Sequence, residues 1–197
     1  VGVADLAGVD DLVARGIDTS DTDAVSAFLA AASAAVRNAA GSTITRQESM
    51  VTLWTEPSRR IELPARPVHS VSIVELGGEL VTDWVLRGSS LWRECRWQRP
   101  GAVPSELAVM FDHGFDVVPA DVVDLVCAMV GAALAAADGG GYASTTGKTY
   151  ESIDDYRVGF TVGADAVASV MEVPPRTAKS LRRRFGPSGL GVVGVIE

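Results

Sequence analysis

The residues best equipped for chemistry crowd into one stretch, "FDHGFDVVPADVVD" at 111–124, which holds Asp112, His113, Asp116, Asp121 and Asp124. An imidazole among carboxylates suggests an acid–base site or a metal site. Either use requires a base, an orienting carboxylate and a nucleophile or metal to converge on one pocket. A plainer reading explains each residue alone. Asp112 and Asp116 suit a turn, Gly114 frees the backbone, and Asp121 favours the positive end of a helix. The chain has two histidines and neither a GxSxG nor an HExxH pattern, so the plainer reading is favoured.

Other chemical signals are weaker. Gly147-Lys148-Thr149 imitates the end of a phosphate-binding loop, but Tyr142 stands where the motif requires its first glycine. Cys95 and Cys127 are widely separated and form no CxxC, which suggests buried or idle thiols in a reducing compartment. No cofactor, no metal site and no catalytic residue is expected.

The elements that would position these residues follow from periodicity. Residues 20–40 read as a helix capped by Ser20 and ended by Gly41, with Val25, Phe28, Leu29, Ala32 and Val36 along one stripe. A shorter helix precedes it and ends at Gly16. From about 43 to 113 the pattern is β: "SMVTLWT", "RRIELPA", "VSIVEL", "DWVLRG", "SLWRECRW" and "ELAVMFDH". Gly77-Gly78 marks a hairpin turn, and Gly88-Ser89-Ser90 a second. Pro64 and Pro67 make "ARPVHSV" an edge or crossing segment. Pro119 opens a helix running to about Ala137, apolar on most of its circumference through Val122, Val123, Val126, Met129 and Val130. Such a helix must be covered by its own domain or by neighbouring subunits. It is expected to be too short and too weak to span a bilayer, and no signal peptide is indicated at the N-terminus. Residues 138–148 read as a Gly-rich linker, "YRVGFTV" as a further strand, 164–172 as a short helix, and Pro175 to Phe185 as a last helix. The four tryptophans all lie in the β-rich part, where core filling and subunit contact outrank ligand stacking.

Charge divides the chain. The net charge is −8, and no Lys or Arg occurs between Arg99 and Lys148. Arg176, Lys179, Arg182, Arg183 and Arg184 then cluster near the end. An acidic body repels nucleic acid, and durable DNA binding needs roughly 6–10 phosphate contacts on one surface. A partner-docking surface is therefore favoured over DNA for this cluster, with a solvated helix face close behind. The apolar, glycine-rich tail beyond Phe185 fits a strand laid against another chain.

The order of these pieces resembles the head–tail connector (adaptor, or head-completion) proteins of long-tailed bacteriophages. The shared marks are "LPxxPVxSV", the Gly-Gly hairpin, the "GFDxVPxDV" strand-to-helix junction, and a late Pro-x-x-x-x-x-Leu-Arg-Arg helix at Pro175 to Arg183. They cover residues 20–137 well and 150–185 loosely. The resemblance implies an α+β fold: a mainly helical core, an inserted β-hairpin/sheet region and an extended C-terminal segment. It divides the chain into an N-terminal arm or short helix (1–19), a connector core (20–137), a Gly-rich linker (138–149) and a C-terminal docking segment (150–197). It implies a non-enzymatic virion protein, assembled in the host cytoplasm and placed in the neck. There it forms a homo-oligomeric ring, dodecameric in the family, beneath the portal protein. A stopper or other neck protein sits on its far side, genomic DNA passes through without sequence-specific binding, and no membrane is involved. On this reading Arg182, Arg183, Arg184, Phe185, Leu190, Val192, Val193, Val195 and Ile196 dock on the portal. Phe28, Leu29, Val123, Val126, Met129 and Val130 contact neighbouring subunits, and the hairpins at Gly77, Gly78, Gly88, Ser89 and Ser90 face the tail side or a neighbour. The alternatives are a small enzyme or ligand-binding domain using His113 and nearby carboxylates, and a DNA-binding regulator using Arg182 to Arg184.

Overall fold

A computed structural model describes residues 4–99, 101–138, 150–153, 156–159, 170–186 and 194–195. The chain divides into two compact units, Val1–Val36 with Val118–Pro175, and Arg37–Val117 with Arg176–Glu197.

The first unit is helical in its described core. It contains α1 (Val9–Val13), most of α2 (Thr22–Ala40) and α3 (Ala120–Asp138). A β-ribbon of β8 (Tyr150–Ile153) and β9 (Tyr156–Gly159) also falls in it. The start of α2 is held by Asp21, whose carboxylate accepts the Ala24 amide at 3.0 Å, so Asp21 takes the capping role expected of Ser20. Leu12, Val25, Leu29, Ala32, Val126 and Val130 are buried at helical spacing. The buried Ser33 hydroxyl accepts the Leu6 amide at 3.0 Å, which ties the N-terminal segment to α2. The Pro119 carbonyl accepts the Val122 and Val123 amides, so Pro119 sits at the cap rather than inside α3.

α3 is covered within the chain, one of the two covers expected for it, and departs from expectation in one respect. Its exposed stripe is Asp121, Asp124, Ala128, Ala132 and Ala135, small and acidic residues that need no neighbour to cover them. Leu29, Val126, Met129 and Val130 are buried inside the chain, and Phe28 and Val123 are half-buried. Four of the six residues assigned to subunit contact are thus spent on the chain's own core. At 19 residues, α3 also meets the length and composition of a membrane span, contrary to the expectation that it is too short and too weak. The core helix of a soluble protein passes the same test.

The second unit is β. One sheet has the order β10 (Gly194–Val195), β1 (Gln47–Trp54), β7 (Glu106–His113), β3 (Val68–Leu76), β4 (Glu79–Leu80). A second sheet has the order β2 (Arg60–Glu62), β6 (Ser90–Arg93), β5 (Trp84–Arg87), and all named pairings in both sheets are antiparallel. Strand alternation sends Val51, Leu53, Val74, Leu107, Val109 and Phe111 to one face of the larger sheet. Ile61 and Leu91 join the same core from the smaller one. Gly77 and Gly78 have φ of +60° and +83° and close the β3–β4 hairpin, as their sequence predicts. Gly88 and Ser89 turn β5 into β6, while Ser90 is buried inside β6 and is no turn residue. Pro64 and Pro67 precede β3, whose first residues pair with β7 alone among the described residues and so lie at a sheet edge, one of the two placements expected, while Glu75 and Leu76 also pair with β4. A last helix, α4, runs from Pro175 to Phe185 as its periodicity predicts.

The mainly helical core is therefore overturned. The chain is a mixed α/β fold, with two antiparallel sheets that have a core of their own beside four helices among the described residues. The β region does interrupt the helical unit in sequence, as expected, but it is a unit with a buried core of its own rather than an appendage to a helical one. The expected linker at 138–148 and the short helix at 164–172 lie almost wholly outside the described residues.

Candidate functional site

Asp112 and His113 are consecutive on β7, so their side chains leave opposite faces of the sheet. His113 is 4% exposed, in register with Gln47 of β1 and Val68 of β3. Its ring stacks on Phe111 with centroids 4.7 Å apart. Its Nε2 lies 3.0 Å from Ser49 Oγ, which also accepts Gln47 Nε2–H at 2.9 Å. His113 Nδ1 is buried with no hydrogen-bond partner. Burial pushes the imidazole pKa down, against the opposing pull of Asp112.

Asp112 is half-buried on the other face, opposite Glu48 and Ser70. Arg46 Nη2 reaches its Oδ2 at 2.6 Å, and Arg46 Nη1 reaches Asp116 at 2.7 Å. Hydrogen bonding to the guanidinium holds the Asp112 carboxyl below the ordinary value of 3.8, and Arg46 is raised in turn. Asp121 and Asp124 belong to the helical unit. Asp121 is exposed in the first turn of α3, where it favours the helix dipole. Asp124 pairs with Arg15, from the turn after α1.

Gly114 is the pivot of the junction. Its φ is +95°, and a Cβ there would stand 2.3 Å from the Thr45 carbonyl oxygen. Its amide donates to Pro67 O at 2.9 Å, and its carbonyl lies 2.7 Å from His69 Nε2. Both histidines of the chain therefore meet the same strand end.

The arrangement brings a hydroxyl and a buried imidazole together but gives the imidazole no carboxylate on its second nitrogen, where a triad places one. The nearest acid in sequence, Asp112, is committed to Arg46 on the opposite face. Among the described residues, no three His, Cys, Asp or Glu side chains gather as a metal ion would require. Sequence reasoning missed Arg46, Ser49, His69 and Arg15. Arg46 and Ser49 stand 66 and 64 residues from their partners, and nothing local marks them.

The residues assigned to docking are divided. Arg182 and Arg183 are exposed on α4, and Arg184 lies over the Phe185 ring at 4.7 Å. Phe185 is fully buried and meets Phe115 edge-on at 5.7 Å, so it belongs to the chain's own core. Val195 pairs with Val51 as part of the short strand β10 on β1 of the same chain. Leu190, Val192, Val193 and Ile196 lie outside the described residues. Cys127 is buried, which raises its pKa, whereas Cys95 is exposed, and both thiols are free. Trp97 is buried, and Trp54 and Trp92 are exposed.

No protein-family model matches the chain, and no curated protein matches it.

Proposed function

We propose that this chain is a structural protein of a bacteriophage virion, a head–tail connector that forms a ring in the neck. It binds the portal vertex, extends the DNA channel and offers a platform for the stopper or tail. The observation that carries the reading is the ordered set of sequence marks, which fall on turns, a strand-to-helix junction and one helix. "GFDxVPxDV" spans the end of β7 to the first turn of α3, the Gly-Gly pair closes β3 to β4, and the Pro-to-Arg segment is α4. The mixed fold lends no support to a mainly helical core, so the reading stands on these marks alone. An acidic channel surface would let DNA slide without holding it.

The test is to add purified protein to DNA-filled, tailless heads that lack it and to image their vertices by electron microscopy. A new ring at one vertex per head is the expected result. Bare vertices, under conditions where a control connector binds, would sink the proposal.

The enzyme alternative has one contact in its favour, Ser49 Oγ to His113 Nε2 at 3.0 Å. A His113→Ala chain that still completes infectious particles removes it. The DNA-binding alternative predicts salt-dependent duplex binding by the isolated chain. Unchanged duplex mobility at low salt removes that one.

A further inference from the structure

The larger sheet of the second unit has one face in the core and another whose side chains, among the described residues, lie outside that core. Register places side chains on this outer face in rows. Glu48 lies beside Asp112, Met50 beside Met110 and Ile73, Thr52 beside Ala108 and Glu75, and Trp54 beside Glu106. Met50, Met110 and Ile73 are half-buried and lie outside the core cluster, and Trp54 is 61% exposed. β1, β3 and β7 contain no Lys or Arg. Arg46, beside this face, is already engaged by Asp112 and Asp116. The surface is thus an apolar row with a tryptophan at one end and a rim of carboxylates.

α4 has the opposite character. It carries five cationic residues among its 11 and no acid, in a chain of net charge −8. Leu181 and Phe185 anchor its buried side. Arg176, Lys179 and Arg183, spaced by three and four, form one exposed stripe. The helix dipole explains cations in the last turn, but it disfavours Arg176 in the first. Whereas Arg15, Arg46, Arg60, Arg66 and Arg93 are all held by carboxylates, these three stripe residues have no ion-pair partner among the described residues.

We infer that the outer face of the five-stranded sheet is the seat for the cationic face of α4 from a second copy of this chain. The dimensions agree. Glu75 and Glu106 stand one strand and two residues apart, about 8 Å by strand geometry. Arg176 to Arg183 covers about 10 Å of helix axis. Long cationic side chains lay their aliphatic stems on apolar surface while their heads reach charge at the rim. Methionine adapts its shape to such a guest, and an exposed tryptophan face accepts a guanidinium. The two patches differ, so the contact is heterologous and propagates from copy to copy, giving a ring if the rotation closes. Only that closure rests on the connector reading.

The test uses the full chain and two charge-reversed variants, Arg176→Glu/Lys179→Glu/Arg183→Glu and Glu75→Lys/Glu106→Lys. Self-association is read by sedimentation velocity, and ring formation on tailless heads by electron microscopy. Each variant alone is expected to weaken association by about tenfold, the scale of two or three exposed ion pairs. Mixing the two variants restores association, since each reversed helix then meets a reversed rim. Unaltered melting of each variant excludes misfolding as the cause. Reversal without effect, or a loss the mixture does not rescue, overturns the contact. A wild-type chain that associates neither in solution nor on heads overturns it as well. Heads filled equally by wild type and variants leave the connector reading standing and remove this interface. Empty vertices beside a successful charge swap in solution do the reverse.

Discussion

Arg46 grips Asp112 with two nitrogens, Nε and Nη2, both on Oδ2 at 3.0 and 2.6 Å. Its remaining nitrogen, Nη1, holds Asp116 two residues beyond Gly114. One guanidinium thus clamps the end of β7 to the turn that follows it. A planar fork suits this task, and an ammonium cannot make the same three contacts.

Arg46→Lys is therefore expected to melt below wild type at neutral pH, and Arg46→Ala lower still. The pH dependence has a definite sign. The folded Asp112 pKa is depressed below 3.8, so its contribution is present above that value and lost as pH falls through the folded one. The Tm gap between wild type and Arg46→Ala should persist from neutral pH to about 4 and close below it. A gap that is constant down to the most acidic pH at which both chains fold would show that the clamp is not ionic.

His113 adds a second loss of stability toward low pH. Burial depresses its folded pKa from 6.5, so the neutral ring favours folding fully above 6.5 and loses that advantage as pH falls below it. His113→Phe keeps the stack on Phe111 and removes the titration. Its unfolding free energy should fall less steeply than that of wild type as pH drops from 6.5, measured by urea unfolding. His113→Ala should cost roughly 1–3 kcal/mol at neutral pH through lost packing. Parallel pH curves for wild type and His113→Phe would mean that the imidazole is accessible to solvent.

What was legible in the sequence is what periodicity carries. α4 begins and ends where "PRTAKSLRRRF" says, and the alternation in "ELAVMFDH" yields β7. The Gly-Gly turn was legible because two consecutive positive-φ residues leave few other uses. Long-range pairing was not, since Arg46 finds Asp112 only after β1 and β7 register, 66 residues apart. The balance of helix and sheet was misjudged for a similar reason. Each strand is weak evidence alone, and only their shared buried face makes a core. The cluster at 112–124 looked like a site because sequence adjacency hides strand alternation, which turns Asp112 and His113 to opposite faces.

Two glycines separate conformational strain from crowding. Gly114 and Gly78 both have positive φ, +95° and +83°, but a Cβ at Gly78 meets nothing within 4 Å, whereas at Gly114 it strikes the Thr45 backbone at 2.3 Å. Gly78→Ala should cost about 1 kcal/mol, from backbone strain alone. Gly114→Ala should cost roughly 3 kcal/mol or more, since the backbone at Thr45 and Arg46 must move to admit it. Equal losses, measured by denaturant unfolding, would show that the junction backbone yields freely.

The attachment of α4 offers the sharpest stability test, because the contact is aromatic and its neighbour is a glycine. Phe185 is fully buried against Phe115, and a Cβ at Gly186 would stand 2.6 Å from the Ala40 carbonyl oxygen. Phe185→Ala should destabilise by about 3–5 kcal/mol, as the loss of a buried ring does. Much of that is general packing, so a double-mutant cycle with Phe115→Leu and Phe185→Leu isolates the ring pair. The edge-on geometry predicts a coupling of roughly 0.5–1.5 kcal/mol. Gly186→Ala should release α4 with both rings intact and expose its segment to limited proteolysis. Zero coupling, or a Gly186→Ala chain as protease-resistant as wild type, would mean that α4 is held by something other than this corner.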